Sequence, residues 1–161
     1  MNREIKEKYH HLINVTRVMT LAVSNKDTPW SSPVYFVFHD NVFYFFSNKN
    51  SRHIKYAENK KNMAASIFQD SDKMDQIFGF QMSGKIEKIS QSRPLYLLIV
   101  KNYIGKFNFL KQIFGSQVID NKNFFLENFK SHLYGFYPDQ IFLSDNSTKD
   151  ISRSKIDLSS I

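Results

Sequence analysis

The chain has 161 residues, carries a formal net charge of +7 from 22 Lys and Arg against 15 Asp and Glu, and contains no cysteine. Its length predicts one domain over residues 1–161, and the lack of cysteine excludes disulfides and cysteine-ligated zinc or iron–sulfur sites. The N-terminus carries charges where a signal peptide needs an apolar run, and the longest apolar run, residues 95–100, is too short to span a membrane, so we expect a cytoplasmic protein without a membrane segment.

The first part of the chain predicts a helix followed by a strand. Apolar residues recur at helical spacing in the N-terminal segment, residues 1–16, and predict an amphipathic helix there. Met19, Leu21 and Val23 then alternate with smaller residues, which is the two-residue period of a strand with one buried face. Residues 25–29 have the composition of a turn.

A β-hairpin is predicted next. Residues 33–38 and 42–46 are rich in Val, Tyr and Phe, which pack well on a pleated sheet. The polar run between them, residues 39–41, supplies the turn.

The hairpin leads into a polar segment with an unusual charge. Asn50 or Ser51 can cap a helix that begins here, yet Lys49, Arg52 and His53 crowd the same end. A helix N-terminus carries partial positive charge and prefers acidic side chains. A bound anion, most simply a phosphate, would offset this repulsion. An ordinary capped surface helix is the alternative.

The rest of the chain predicts further strands and helices. Strands are predicted at residues 63–69, 77–89, 131–137, 140–144 and 155–158, and helices from Pro94 to a break at Gly105, at 107–114 and at 123–130. A polar break is predicted at 59–62, and the polar tail, residues 146–161, is expected to fray. Because short strands dominate, the fold class is mainly β, an antiparallel barrel with attached helices.

The aromatic residues and the His10-His11 pair each allow a structural and a functional explanation. Phe, Tyr and Trp make up 16% of the chain, which indicates a thick β core or, less readily, an aromatic binding surface. His10 and His11 are adjacent and point to different faces of the predicted helix, which disfavours a metal or haem site. No glycine-rich nucleotide motif, P-loop, hydrolase motif or zinc-protease motif is present.

The order of several motifs resembles a known family. A strand P-W-S-S-P-V-Y-F is followed by F-Y-F-F-S-N-x-x-S-R-H, a strand A-A-S-I-F, the run F-G-F-Q-M-S-G-K-I-E-K-I and a closing Y-G-F-Y-P-D-Q-I-F-L-S-D-N. This order, over about residues 17–146, resembles the FMN-binding split-barrel superfamily related to pyridoxamine 5′-phosphate oxidase, in a small bacterial branch.

The resemblance implies a six-stranded antiparallel split β-barrel that forms a homodimer and binds FMN in clefts between the subunits. Phe46-Ser47 stands where the oxidases carry Tyr-Thr, and Ser51-Arg52-His53 stands where they carry the phosphate-binding Ser-Arg-Lys. The strand around residues 31–35 matches the family strand that lies along the isoalloxazine ring, and Gln81 corresponds to a position near the ring or its ribityl tail. The cofactor-binding residues implied are Ser32, Pro33, Val34, Tyr35, Ser47, Asn48, Ser51, Arg52, His53 and Gln81.

The leading functional hypothesis is therefore an FMN-dependent oxidoreductase acting on an unknown small molecule. No catalytic side chain or metal ligand is assigned, since the flavin would supply the redox chemistry. One alternative is a flavin- or haem-binding split barrel without turnover, acting as a sensor or carrier. Another is a basic β-barrel that binds single-stranded nucleic acid, which the dispersed basic residues disfavour.

Overall fold

The computed structural model describes residues 3–58, 63–147 and 153–156. The polar break predicted at 59–62 lies outside the described residues, as do most of the predicted tail and the last two residues of the strand predicted at 155–158. Among the described residues, none of the helices has the length and the apolar character needed to cross a membrane.

The described chain folds around one antiparallel sheet. Its strands are β1 (Val18–Asn25), β2 (Thr28–Tyr35), β3 (Val37–His39), β4 (Val42–Asn48), β5 (Met63–Gln69), β6 (Phe78–Lys88), β7 (Ser131–Asp145) and β8 (Ser154–Ile156). The order across the sheet is β2-β1-β5-β6-β7-β4-β3, and β8 pairs with β7. The sheet curls into a split barrel, which confirms the predicted mainly β fold.

The sheet has eight strands in the described residues, two more than the resemblance implied. One extra strand arises because the predicted strand at 33–38 is interrupted at Phe36, which separates β2 from β3. Since β2 and β3 lie at opposite ends of the strand order, the chain passes from one edge of the sheet to the other at this residue. The Phe36 side chain is fully buried, and its N–H donates to the carbonyl of Arg17 (3.2 Å).

The helices cover the ends and one side of the sheet. They are α1 (Arg3–Val15), α2 (Arg52–Ala57), α3 (Pro94–Lys106), α4 (Phe109–Phe114), α5 (Gln117–Asp120) and α6 (Phe124–Phe129), with a single 3₁₀ turn at Met74–Gln76. The sequence pattern missed α5, which is only four residues long. It placed the break between two helices at Gly105, and this break lies two residues later, at 107–108, between α3 and α4.

The hairpin turn follows the local sequence. Asp40 and Asn41 connect β3 to β4 and have φ angles of 49° and 59°. Two consecutive residues with positive φ are the signature of the tight turn whose twist matches antiparallel strands, and Asp and Asn tolerate this conformation better than most residues.

The prediction of two strands around Pro138-Asp139 is wrong, since β7 runs through both residues without a break. The sheet accommodates the proline, which lacks an N–H, by a register shift opposite Ser83 and Gly84 on β6. At this irregularity the two backbones approach closely. A Cβ atom on Gly84 would lie 2.2 Å from the carbonyl oxygen of Tyr137.

Two apolar clusters lie on opposite sides of β4. Phe43 and Phe45 point into the barrel, whereas Tyr44 packs with the helices from α3 to α6. The partly buried Phe46 stacks on Phe125 of α6 with ring centroids 3.8 Å apart. Much of the aromatic content is therefore accounted for by core packing, the explanation that the sequence favoured.

Two glycine substitutions should change stability in opposite directions. Gly84→Ala should lower the free energy of unfolding by about 2 kcal/mol or more, because the new methyl group would overlap the Tyr137 carbonyl. Gly105→Ala should raise it by up to about 1 kcal/mol, because a Cβ on this helical residue meets no atom within 4 Å. Urea unfolding of both variants measures the difference, and a stable Gly84→Ala protein would contradict the close approach.

Candidate functional site

The segment from the end of β4 to the start of α2 forms a compact polar turn. The backbone N–H of Ser51 donates to the carbonyl of Asn48 (3.0 Å), and the Asn48 side chain accepts from the N–H of Asn50 (2.8 Å). Ser51 occupies the N-cap position of α2, but its hydroxyl makes no cap hydrogen bond and donates to the Asn48 carbonyl instead (2.7 Å). The predicted capping bond is therefore absent from this helix.

Three of the predicted site residues meet on the inner side of this turn. The Ser47 hydroxyl lies 2.8 Å from Nε2 of His53 and 3.1 Å from the Ser51 hydroxyl, which is itself 3.3 Å from the same ring nitrogen. Ser47 and His53 are both buried. Burial lowers the pKa of His53 below its ordinary value, because the cationic ring loses hydration. The neutral imidazole is therefore the favoured form, and it holds the turn together through the two serines.

Arg52 points the other way, into solvent. Its guanidinium carbon lies 4.2 Å from the centroid of the Trp30 ring on β2. No carboxylate pairs with Arg52 among the described residues. Stacking on an aromatic face leaves the N–H groups at the guanidinium edge free to bind an acceptor. Among the described residues, the turn thus presents Arg52 as an exposed cation without a carboxylate partner, stacked on a tryptophan.

Trp30 also stands at the rim of a wide trough on the outer face of the sheet. The trough has a volume of about 830 Å³. Its floor is made of small side chains, including Ala22, Ser31, Ala64 and Ser83. These four residues lie in one row across β2, β1, β5 and β6, since they are register partners from strand to strand. The hydroxyl of Ser83 donates to the carboxylate of Asp139.

The predicted strand residues are divided by the pleat of β2. Pro33 and Tyr35 are exposed on the outer face, whereas Val34 is buried in the core and Ser32 is partly buried. Only the backbone of Val34 is therefore available to a ligand on the outer face.

Gln81 is exposed on the same outer face but lies far from Pro33. The two residues occupy one row, in which Thr20 and Ser66 stand between them. Three strand spacings separate Gln81 from Pro33, or about 14 Å. Within one chain the structure thus brings Ser47, Asn48, Ser51 and His53 together, places Arg52 beside them, and leaves Gln81 apart.

Sequence reasoning did not assign Trp30, Ala22 or Ala64 to the site. Trp30 is the only tryptophan of the chain. The sequence contained a signal for this site, namely an aromatic residue among small residues in a strand. Small residues on a sheet face leave room for a ligand. Its contact with Arg52 depends on the packing of α2 against the sheet, which the local sequence does not specify.

A second cavity contains a histidine. His132 on β7 lines a space of about 370 Å³ together with Tyr96, Leu126 and Leu133. Burial and the nearby Lys88 and Lys49 ammonium groups lower the pKa of His132. Among the described residues, no three His, Cys, Asp or Glu side chains are grouped closely enough to hold a metal ion.

Solved structures with a similar fold include three of related length. HutZ, the haem storage protein from Vibrio cholerae, is 13% identical with a TM-score of 0.63, and the match covers 88% of this chain and 96% of HutZ. A FAD-binding protein from Mesorhizobium loti is 11% identical with a TM-score of 0.63, over 86% of this chain and 90% of the other.

The third is a protein from Clostridium acetobutylicum related to general stress protein 26 of B. subtilis, described as of the pyridoxinephosphate oxidase family. It is 8% identical with a TM-score of 0.65, and the match covers 99% of both chains. At these identities the likeness shows the fold, and it agrees with the split barrel described above.

The sequence comparison identifies the family. No curated protein matches the chain. The family model described as pyridoxamine 5′-phosphate oxidase matches residues 5–126, a span that contains the polar turn, Trp30 and the whole trough. The chain therefore belongs to the pyridoxamine 5′-phosphate oxidase family.

Proposed function

We propose that this protein binds FMN and acts as an oxidoreductase on a small molecule. The observation that carries the proposal is the exposed guanidinium of Arg52, which stacks on Trp30 at the rim of the trough and has no carboxylate partner among the described residues. A planar fork of N–H donors of this kind suits a phosphate group. Family membership and the likeness to a FAD-binding protein from Mesorhizobium loti support a flavin as the ligand that carries it.

The residues present fit such a ligand. Arg52 would bind the phosphate, and the polar turn that His53 holds together fixes the position of Arg52. The small side chains of the trough would leave room for a flat ring. FMN, when bound, supplies the electron transfer. The chain binds and orients the ring and limits the access of water to it.

The proposal includes a homodimer that completes the site. The outer face of β2, β1, β5 and β6 carries two adjacent rows without a charged side chain: Ser31, Ala22, Ala64 and Ser83 in one, and Pro33, Thr20, Ser66 and Gln81 in the other. In a chain of net charge +7, a charge-free face is suited to self-association, because charged residues are depleted at the centre of protein interfaces. A twofold axis would bring Gln81 of one protomer towards the β2 strand of the other.

Haem is the second candidate ligand. HutZ shares the fold, and His132 lines a partly open cavity with both polar and apolar neighbours, where an imidazole nitrogen could bind iron. The absorbance spectrum after reconstitution separates the two candidates. Flavin bands would support the proposal. A Soret band that is lost in His132→Ala would instead show that the ligand is haem and not FMN.

Removing the Arg52 guanidinium should weaken FMN binding. Arg52→Ala is expected to cost about 1.5–3 kcal/mol, or roughly 10- to 150-fold in Kd, because charged hydrogen bonds to phosphate are lost. Lys55→Ala, one turn further along α2 and also exposed, is the matched control and should change the Kd by less than about threefold. Quenching of flavin fluorescence measures both, and equal affinities would remove Arg52 from the site.

FMN should raise the pKa of His53. In the free protein, burial holds this pKa below its ordinary value. A phosphate dianion nearby favours the imidazolium, so binding takes up a proton and FMN affinity should increase as the pH falls towards the ordinary histidine pKa of about 6.5. His53→Gln should flatten this dependence. NMR titration of the His53 ring with and without FMN provides the direct measurement, and an unchanged pKa would place the phosphate elsewhere.

A charge on the outer face should separate the protomers. The 19.0 kDa chain is expected to sediment as a dimer. Ala64→Glu places a carboxylate in the middle of the charge-free face, and it should shift the protein to a monomer and weaken FMN binding with it. Gln112→Glu adds the same charge to an exposed position on α4 and should do neither. A dimer that tolerates Ala64→Glu would contradict this interface.

A further inference from the structure

A third concave surface lies on the helical side of the molecule, away from the trough and from the cavity of His132. One stripe of α3 forms its floor, where Leu97, Val100 and Ile104 follow one another at helical spacing. Leu97 is exposed, whereas Val100 and Ile104 are largely buried at the base of the groove. Ile119 of α5 lines the groove as well, and its volume is about 500 Å³. Leu97 and Ile119 are 53% and 54% exposed, so apolar side chains face water here without a cover in the described chain.

Gly105 keeps this groove open. It lies on the same stripe of α3, one residue after Ile104, and a Cβ placed on it would meet no atom within 4 Å. A larger residue at this position in the last turn of α3 would project into this space. The absence of a side chain at position 105 therefore leaves empty volume where a ligand could lie.

Two lysines are the charged side chains that line the groove in the part of the chain that the structure describes. Lys101 lies on α3 and Lys111 on α4, both are exposed, and neither has a carboxylate partner among the described residues. The described lining contains no Asp or Glu. An apolar floor with unpaired cations at its border complements a ligand that has an apolar body and an anionic head.

We propose that this groove binds a single-chain anionic amphiphile, that is, a medium- or long-chain carboxylate. Its apolar tail lies along Leu97, Val100 and Ile104, and its carboxylate pairs with Lys101 or Lys111. From Leu97 to Gly105 the floor extends about 12 Å along the helix axis, which suits an extended acyl chain. The volume also lies within the range of about 300–1,000 Å³ that is usual for small-molecule sites. A second copy of this chain is a poorer occupant, because its net charge of +7 would add to that of the two lysines.

Dodecanoate is the probe for the test, used below its micelle concentration with methyl NMR as the readout. It should shift the methyl signals of Leu97, Ile104 and Ile119 in a saturable manner. Dodecyltrimethylammonium has the same tail and a cationic head, and it should leave these signals unchanged. Shifts of equal size with both compounds, or shifts spread over methyl groups throughout the protein, would overturn the proposal.

Two sets of variants test the head and the tail separately. The double variant Lys101→Gln and Lys111→Gln should weaken dodecanoate binding by about tenfold or more, because the charged contacts are lost. Gly105→Phe should abolish binding by filling the groove, whereas Gly105→Ala, the matched control, should keep the Kd within about twofold, since its methyl group is small. Unchanged affinity in the double variant or in Gly105→Phe would contradict the site.

The experiment also separates this site from the proposed flavin site. Arg52→Ala should retain full dodecanoate binding, because Arg52 does not line the groove. If dodecanoate shifts no signal, while the methyl groups of Leu97 and Ile119 shift with protein concentration alone, the groove is a self-association surface and the proposal fails.

Discussion

The fold depends on the single residue at which the chain passes between the two edges of its sheet. Phe36 follows the last residue of β2 and precedes the first residue of β3, and these two strands end the strand order on opposite sides. Its ring is buried against Phe43 inside the barrel, and the ammonium group of Lys106 lies 4.0 Å from the ring centroid. Burial and the nearby Arg17 lower the pKa of Lys106 to about 8, so the closure includes a cation kept in an apolar setting by its contacts with the ring and with the Ile13 carbonyl.

This closure places the parts of the proposed flavin site. Only the short strand β3 separates β2 from β4 in the sequence. The closure brings the start of β2 next to α2, the helix that follows β4. Trp30 and Arg52 come into contact as a result. Successive residues of a helix point about 100° apart, so Arg52 can reach solvent while His53 is buried against Ser47. The inner residue fixes the turn, and the outer one remains free to bind.

The local parts of this structure could be predicted from the sequence. The Asp40-Asn41 turn, the alternation of β1 and the β5 segment depend on neighbouring residues, and each was found where the pattern placed it. The break at Phe36 could not be predicted, because Val-Tyr-Phe-Val-Phe has the composition of one continuous strand and barrel closure is a long-range event. Pro138 misled the prediction for a similar reason, since the register between β6 and β7 overrides local preference.

The candidate site likewise has features that depend on neighbouring residues and features that depend on long-range packing. Ser51 and His53 are two residues apart in the sequence, so the closeness of their side chains was predictable, whereas the guanidinium of Arg52 points away from both. The inward direction of His53 and the stacking of Arg52 on Trp30 depend on how α2 packs against the sheet, which no local pattern records.

The outer face of the sheet and the groove along α3 differ in their charge, and this difference decides what each can bind. The outer face of the sheet has two adjacent rows with no charged side chain, so a second copy can approach it without bringing like charges together. The groove along α3 is more apolar at its floor but is bordered by Lys101 and Lys111. A second copy docked there would place four ammonium groups in one desolvated contact, at a cost that the apolar area of a small groove does not offset. A carboxylate neutralises one of those charges while its tail covers the same apolar floor. By hydrophobicity alone, the groove would be the better surface for a second copy. Because of where the charges lie, the outer face of the sheet is the better one.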